Sequence, residues 1–304
     1  MIPVYYVISS IIGLFLAVFL PPLYDGVRRK IKARIHCRVG PPIMQTWFDL
    51  VKLGLKENVA PRNCTSMFLY APYLSISYLV LAAIMMPLVY YETALKFTFD
   101  IIVLLYLLSS ATIILIFGFM GSGNVFSYIG ARRELILTII TELTVIFSFI
   151  SLAIKYRVLR VSEIYSKIAG SPSVTAILAG ILLLICAYVE GFRFPFELPE
   201  AEVEIAGGTI IEYSGRRLAL VKLSILVKQF LLVAFAVNVL EPWSITHSLA
   251  LGIPIFIVKT FIVYIVYSIL DPLFARYRLD MALRTLIFLI FFMILCFILA
   301  IVGV

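Results

Sequence analysis

Six glutamates, Glu190, Glu197, Glu200, Glu202, Glu204 and Glu212, fall within the stretch EGFRFPFELPEAEVEIAGGTIIEYSGRR (190–217) of a chain with only 17 acidic residues in 304. Carboxylates this dense repel one another unless they are solvated, paired or protonated, and carboxyls that share protons suit a proton route. Further ionisable groups stand inside apolar runs: Glu142, Lys228 and Lys259, with Glu190 and Asp271 at run ends. A charge at the bilayer centre costs about 2.5–3.5 kcal/mol on insertion scales, so such groups face protein or water and are candidates for proton relay. For any one residue the plainer account is structural, with Glu142 or Glu190 neutralising Lys228 or Arg193. For the set that account is strained, because the acids of 190–212 outnumber the nearby bases. The flanks of EAEVE (200–204) are apolar, aromatic and glycine-rich, which predicts a segment folded back toward the membrane.

Other chemistries are poorly represented. Cys37, Cys64, Cys186 and Cys296 form no CxxC or Cys/His spacing, and His36 and His247 lie far apart on opposite expected sides. No metal site, haem, zinc or iron–sulfur cluster is expected in this chain, and the thiols are expected to be free. GSGNVFSYIGARRE (121–134) lacks the lysine of a phosphate loop and does not follow a strand, so its glycines read as tight turns. No catalytic residue is identified.

The elements that hold these groups follow from composition. The chain is 63% hydrophobic and 14% charged, against about 25% charged in soluble domains. Eight apolar runs, near 3–24, 67–91, 98–120, 134–154, 173–191, 217–240, 246–270 and 281–303, each approach the roughly 20 residues that span a bilayer. Backbone polar groups in lipid must bond internally, so the runs are helices; the short alternating segments of a barrel are not seen. The expected fold is an all-α polytopic membrane protein, residues 1–304 forming one integral membrane domain with about eight transmembrane helices. The first run, with its basic residues following it, reads as a retained helix and not a cleaved signal. From Ile43, Trp47, Leu50, Val51, Gly54 and Leu55 recur at helical spacing, predicting an interfacial amphipathic helix of about four turns. It could lie on anionic lipid or offer a ledge to a soluble partner.

Eighteen of the 25 lysines and arginines fall on one side, including Arg28, Arg34, Arg38, Arg193, Arg276 and Arg278. That side is expected to be cytoplasmic, with both termini outside. Four basic residues between the fourth and fifth runs, Lys155, Arg157, Arg160 and Lys167, run against the rule. The net charge of +8 follows from this topology, and no nucleic-acid partner is expected. The last loop, DPLFARYRLDMALR (271–284), could pair its arginines with the glutamates of 190–217.

At this point several motifs carry a resemblance. EGFRFPFELPEAEVEIAGGTIIEYSG resembles the signature loop of the membrane subunit that joins the peripheral arm of respiratory complex I to its proton pump. RRKIKARIHCRVGPP is similar to that family's basic Arg-x-Gly-Pro segment, and ARYRLD to its late Arg-Tyr/Leu-Arg-x-Asp motif, so the likeness covers nearly the whole chain. GPPIMQTWFDLVKL, GSGNVFSYIGARRE, EYSGRRLALVKLS and VKQF resemble the branch of membrane-bound, energy-converting NiFe hydrogenases, including formate hydrogenlyase. Gly40-Pro41-Pro42-Ile43 departs from the Gly-Pro-Asn-Arg of the quinone-reducing branch and weighs against a quinone role. The resemblance implies a docking and coupling subunit without a redox centre of its own. Its partners would be a soluble iron–sulfur small subunit and a large subunit with the NiFe centre on the cytoplasmic face, with antiporter-like membrane subunits alongside, in a prokaryotic cytoplasmic membrane. Reduced ferredoxin or formate would supply electrons, and protons or sodium ions would be moved. It also implies a five-helix unit formed by the second to sixth spanning helices. Glu142, Glu190, Glu197, Glu200, Glu202, Glu204, Glu212, Lys228 and Asp271 would serve coupling. Arg28, Arg34, Arg38, Gly40, Pro41, Arg193, Pro195, Tyr213, Arg276, Arg278 and Asp280 would shape the loop and the docking face. The alternatives are a quinone-binding complex I subunit, a subunit of a sulfane reductase complex, or a stand-alone ion or solute carrier built on Glu142 and Lys228.

Overall fold

The computed structural model describes residues 4–88, 95, 99–241 and 249–303, all as helices, turns and loops, with no strand among them. Lys96 and His247 lie outside the described residues, as does the side chain of Glu202. In chain order the helices are α1 (Val4–Ile35), α2 (Gln45–Leu55), α3 (Ser66–Met85), α4 (Asp100–Met120), α5 (Val125–Tyr156), α6 (Val161–Gly170), α7 (Val174–Glu190), α8 (Glu202–Ile205), α9 (Gly215–Leu240), α10 (Leu249–Leu270) and α11 (Leu279–Val302). Seven of these, α1, α3, α4, α5, α9, α10 and α11, are long and apolar enough to cross a bilayer. The 17-residue α7 is a shorter apolar helix that fills the eighth expected place. The chain is a multi-pass, all-α membrane protein.

The helices pack as a ring: α3 against α4, α4 against α5, α5 against α7, α7 against α9, and α9 back against α3. α1 lies against α3, α9 and α10, while α11 covers α5 and α7. Because α9 is enclosed on so many sides, Phe230 to Ala236 are completely buried, whereas a lipid-facing helix such as α11 shows Ile287, Phe288 and Phe291 outward. Close approach drives packing where lipid removes the hydrophobic difference. At Gly180 of α7 an added Cβ would lie 2.6 Å from Leu240 of α9. Buried Thr144, Ser148 and Ser151 on α5 turn their hydroxyls back to carbonyls four residues earlier, so these three donors are satisfied within the bundle.

Several boundaries differ from the hydropathy reading. α1 runs eleven residues past the expected 24, and α5 starts nine before the expected 134. Apolar runs mark only the lipid-embedded part of a helix, whereas these two project beyond it as amphipathic extensions. α2 is also shorter than predicted, with three turns instead of four and its start at Gln45. Thr46 and Leu50 are its buried positions, Trp47 packs at a tilt against Phe19, and Val51 and Leu55 point outward with Phe48. The inward strip is narrow because α2 sits in the corner between α1 and α9. The long connection 155–172 holds α6, which buries Val161, Ile164, Tyr165 and Ile168.

Candidate functional site

The segment 190–217 is stitched to the underside of the bundle, on what is here named the loop face. Glu190 ends α7, and Gly191 then lets the chain pass against α9; a Cβ there would lie 2.1 Å from Gln229 Nε2. The Tyr188 hydroxyl donates to Phe194 O, the Phe194–Pro195 peptide is cis, and the Tyr277 amide donates to Pro195 O at 3.0 Å. Farther on, the Thr209 amide donates to Pro199 O at 3.3 Å. Gly208 has φ 46°, and a Cβ on it would meet Pro199 O at 2.0 Å, so only glycine fits. Tyr213 stacks on Phe68 with ring centroids 4.2 Å apart and donates to Phe68 O at 3.1 Å; burial raises its phenol pKa.

Two ion-pair knots flank this segment. In the first, Asp25, 3% exposed, accepts from Arg28 at 2.8 Å, Arg29 at 3.0 Å, Arg193 at 3.2 Å and the Thr46 hydroxyl at 3.0 Å. Asp271 holds Arg28 at 2.9 Å and Lys32 at 3.1 Å, and accepts the Phe194 amide at 3.2 Å. Burial, with the neighbouring Arg28 charge, lowers the pKa of Arg193, against the pull of Asp25 and Asp271. Arg193 also donates to Gln229 Oε1 at 3.1 Å. Asp25, Arg28, Arg29, Lys32, Arg193 and Asp271 line a cavity of about 170 Å³, which Glu197 and Glu200 also face.

The second knot lies inside the ring. Lys228 sits 2.6 Å from Glu142 and 2.8 Å from Glu190, and also donates to Thr112. Ser109 donates to the other Glu142 oxygen at 2.5 Å. Glu134, 2% exposed, shares a cavity of about 20 Å³ with Glu190, Lys228, Thr138 and Ser224, room for a water molecule. Glu134 is within electrostatic range of Glu200 as well as of Glu190 and Lys228. Adjacent residues of α9 join the knots, since Gln229 belongs to the first and Lys228 to the second. The carboxyls thus form a line: Glu197 and Glu200 at the larger cavity, then Glu134, Glu190 and Glu142.

Glu197, at the mouth of that line, and the acids outside it are clasped at the surface. Glu197 pairs with Arg276 at 2.8 Å, Glu204 with Arg133 at 2.7 Å, and Glu212 accepts from Asn124. The Arg133 hydrogen bond holds the Glu204 carboxyl below the usual glutamate range. Glu202 falls in α8. Of the basic residues, Arg28 is turned inward, whereas Arg34 in the last turn of α1 and Arg38 just past its end are exposed, with Gly40 and Pro41 following. Arg278 caps α11 and Asp280 stands in its first turn, where a carboxylate suits the helix dipole. Lys259 reaches the end of α9, pairing with Glu241 at 3.3 Å. Cys37 is exposed, Cys64 is partly covered, Cys186 and Cys296 are buried, and all four are free.

Sequence reasoning missed Asp25, Glu134, Gln229, Thr112 and Ser109. Asp25 could have been found from its i, i+3 and i+4 spacing to Arg28 and Arg29. Glu134 was hidden by its place at the edge of an apolar run.

Comparison with known proteins agrees with the fold and its motifs. Residues 7–302 match the family described as NADH dehydrogenase. The chain is 30% identical over 282 residues to hydrogenase-4 component C of Escherichia coli K12, covering 90% of this chain and 89% of that one. It is 30% identical over 271 residues to formate hydrogenlyase subunit 4 of the same organism, covering 86% and 88%. Against a subunit of the NADH-quinone oxidoreductase of Phocaeicola vulgatus it is 31% identical over 235 residues, covering 73% and 65%. A chain in the structure of the membrane-bound sulfane sulfur reductase, an archaeal respiratory membrane complex, superposes with a TM-score of 0.84 at 23% identity, covering 96% of this chain and 98% of that one. That likeness speaks for the fold alone. The match across almost the whole length makes the chain a member of the NADH dehydrogenase subunit 1 family.

Proposed function

We propose that the chain is the membrane anchor and coupling subunit of a multisubunit, ion-translocating, membrane-bound NiFe hydrogenase. The reading is supported by two hydrogenase-type relatives that align along most of their own length. The observation that carries it is the line of carboxyls from the loop-face cavity to Lys228. Glu134, Glu142 and Glu190 share one ammonium group in a buried site, and surplus buried charge is expensive. A proton taken up by this set would be redistributed over it as a unit when the field changes at one end. A redox event in a docked soluble arm would change that field through Arg193 and the first knot, and Gln229 would pass the shift to Lys228. Arg34 and Arg38, exposed at the end of α1, would meet the arm. That arm would comprise the iron–sulfur small subunit and the NiFe large subunit, with antiporter-like subunits beside the bundle in a prokaryotic cytoplasmic membrane. The cofactors belong to those partners.

The test uses the whole complex in inverted vesicles, measuring ion uptake per hydrogen evolved. Glu142→Gln is expected to lower uptake per hydrogen by about tenfold or more while hydrogen evolution with an artificial donor persists; the figure is below the usual effect of one general acid–base group. Uptake per hydrogen that stays unchanged in both Glu142→Gln and Glu190→Gln refutes the coupling role. A second reading, the same fold serving quinone or sulfane reduction, draws on the cavity beside Arg28 and Arg193. Nickel in the purified complex and hydrogen evolution separate the two.

A further inference from the structure

The four basic residues that run against the charge rule lie on the face opposite the loop. Three are engaged: Lys155 donates to Gly303 O at 2.6 Å, Lys167 to Tyr156 O at 2.8 Å, and Arg160 pairs with Glu163 at 3.0 Å. Arg157 is exposed, ends α5 in the left-handed conformation with φ 52°, and has no side-chain partner among the described residues. It stands at the mouth of an apolar groove of about 710 Å³ between α4 and α5. Ile101, Leu105 and Ile113 form one wall and Ile146, Ile150 and Ala153 the other.

We infer that this groove holds one acyl chain of an anionic phospholipid whose phosphate rests on Arg157. Length argues for lipid over a partner helix. From Ile101 to Ile113 the groove runs about 18 Å at 1.5 Å per residue. That is close to the depth of one leaflet in a core about 30 Å thick, whereas a spanning helix would want a furrow of the full thickness. Charge argues for an anionic headgroup, since the connection 155–170 holds four bases and one acid, Glu163. The deep end of the groove reaches Ser109, whose hydroxyl is bound to Glu142, so the acyl chain would also close the lipid-side wall over the second knot. The inference needs only that the chain spans a bilayer and does not depend on the hydrogenase reading.

The experiment places the intact complex in nanodiscs of equal phosphatidylglycerol and phosphatidylcholine and weighs retained lipid by native mass spectrometry. In a parallel sample a photoreactive phenylalanine replaces Tyr106, which lines the groove and is 71% exposed. The wild-type complex is expected to retain phosphatidylglycerol preferentially. Arg157→Asn, which keeps a residue tolerant of the left-handed cap, should cut that preference by about fivefold, the effect of one basic contact at an anionic surface. Ala153→Phe, which fills the groove, should abolish the lipid adduct at position 106. Equal retention of the two lipids, a preference untouched by Arg157→Asn, or a polypeptide adduct at position 106 overturns the assignment.

Discussion

At the scale of single residues, Lys228 and Glu204 bracket what a charge does in this protein. Lys228 is buried between two carboxylates, and removing one partner of a buried pair typically costs about 3–5 kcal/mol because the survivor stays desolvated. Lys228→Met is therefore expected to lower the thermal midpoint of the purified complex sharply. The double variant Lys228→Met/Glu142→Gln should recover part of the loss, a coupling that thermal melts of the two single variants and the pair will measure. Glu204 is half exposed in its pair with Arg133, where a solvent-screened bridge contributes about 0–1 kcal/mol. Its carboxyl pKa is lowered in the folded state, so its contribution is present above the unfolded pKa and fades as pH falls through the folded one. Glu204→Gln should leave the midpoint at neutral pH nearly unchanged and flatten only its fall on the acid side of the glutamate range. A large neutral-pH shift would mean that Glu204 bears more than a surface clasp.

At the scale of elements, Asp25 ties three pieces together: α1 through Arg28 and Arg29, α2 through Thr46, and the loop through Arg193. Asp25→Ala takes the shared carboxylate from three guanidinium groups, leaving Arg28 to Asp271, Arg29 to Asp49 and Arg193 to Gln229, and 191–200 should then exchange amide hydrogens faster in the assembled complex while the ring helices stay protected. Equal protection in the variant would show that the backbone contacts at Pro195 and Pro199 hold the segment without the knot. Much of this level was legible in the sequence. Eight apolar runs became seven helices long enough to span and the shorter apolar α7, because a bilayer demands uniform apolarity, and of the pairings open to the embedded charges Lys228 meets both Glu142 and Glu190. The Arg276–Glu197 pairing was legible for the same reason, as an excess of acid facing a basic loop. What hydropathy could not reveal were the amphipathic ends of α1 and α5, the first carrying Asp25 and the second leading directly into Glu134. In those ends helical character persists after apolarity stops. The narrow inward strip of α2 depends on the angle between α1 and α9, which no local pattern contains.

At the scale of the whole molecule, the two faces differ in kind. Asp25, Asp271, Arg193, Arg133 and Arg276 gather the loop face into one charged floor, whereas the start of α1, the end of α11 and α6 lie opposite, as the Lys155–Gly303 contact shows for α11. Charge asymmetry sets orientation through the lysines and arginines near helix ends, so the loop face should be cytoplasmic. The bases at 155–167 do not reverse this, because eighteen of the 25 lysines and arginines belong to the loop-face side and outnumber them, although Arg157, Arg160 and Lys167 are all exposed. Cys37, exposed on the loop face, reports directly on the arrangement once the other three thiols are replaced by alanine. A membrane-impermeant maleimide should label Cys37 in inverted vesicles stripped of the soluble arm and spare it in intact spheroplasts. Glu163→Cys, in the same background with Cys37 also replaced, should show the opposite pattern, at the small stability cost of one exposed ion pair. Labelling of Cys37 from outside would turn the charged floor away from the cytoplasm, and a cytoplasmic redox arm would then have no surface on which to dock.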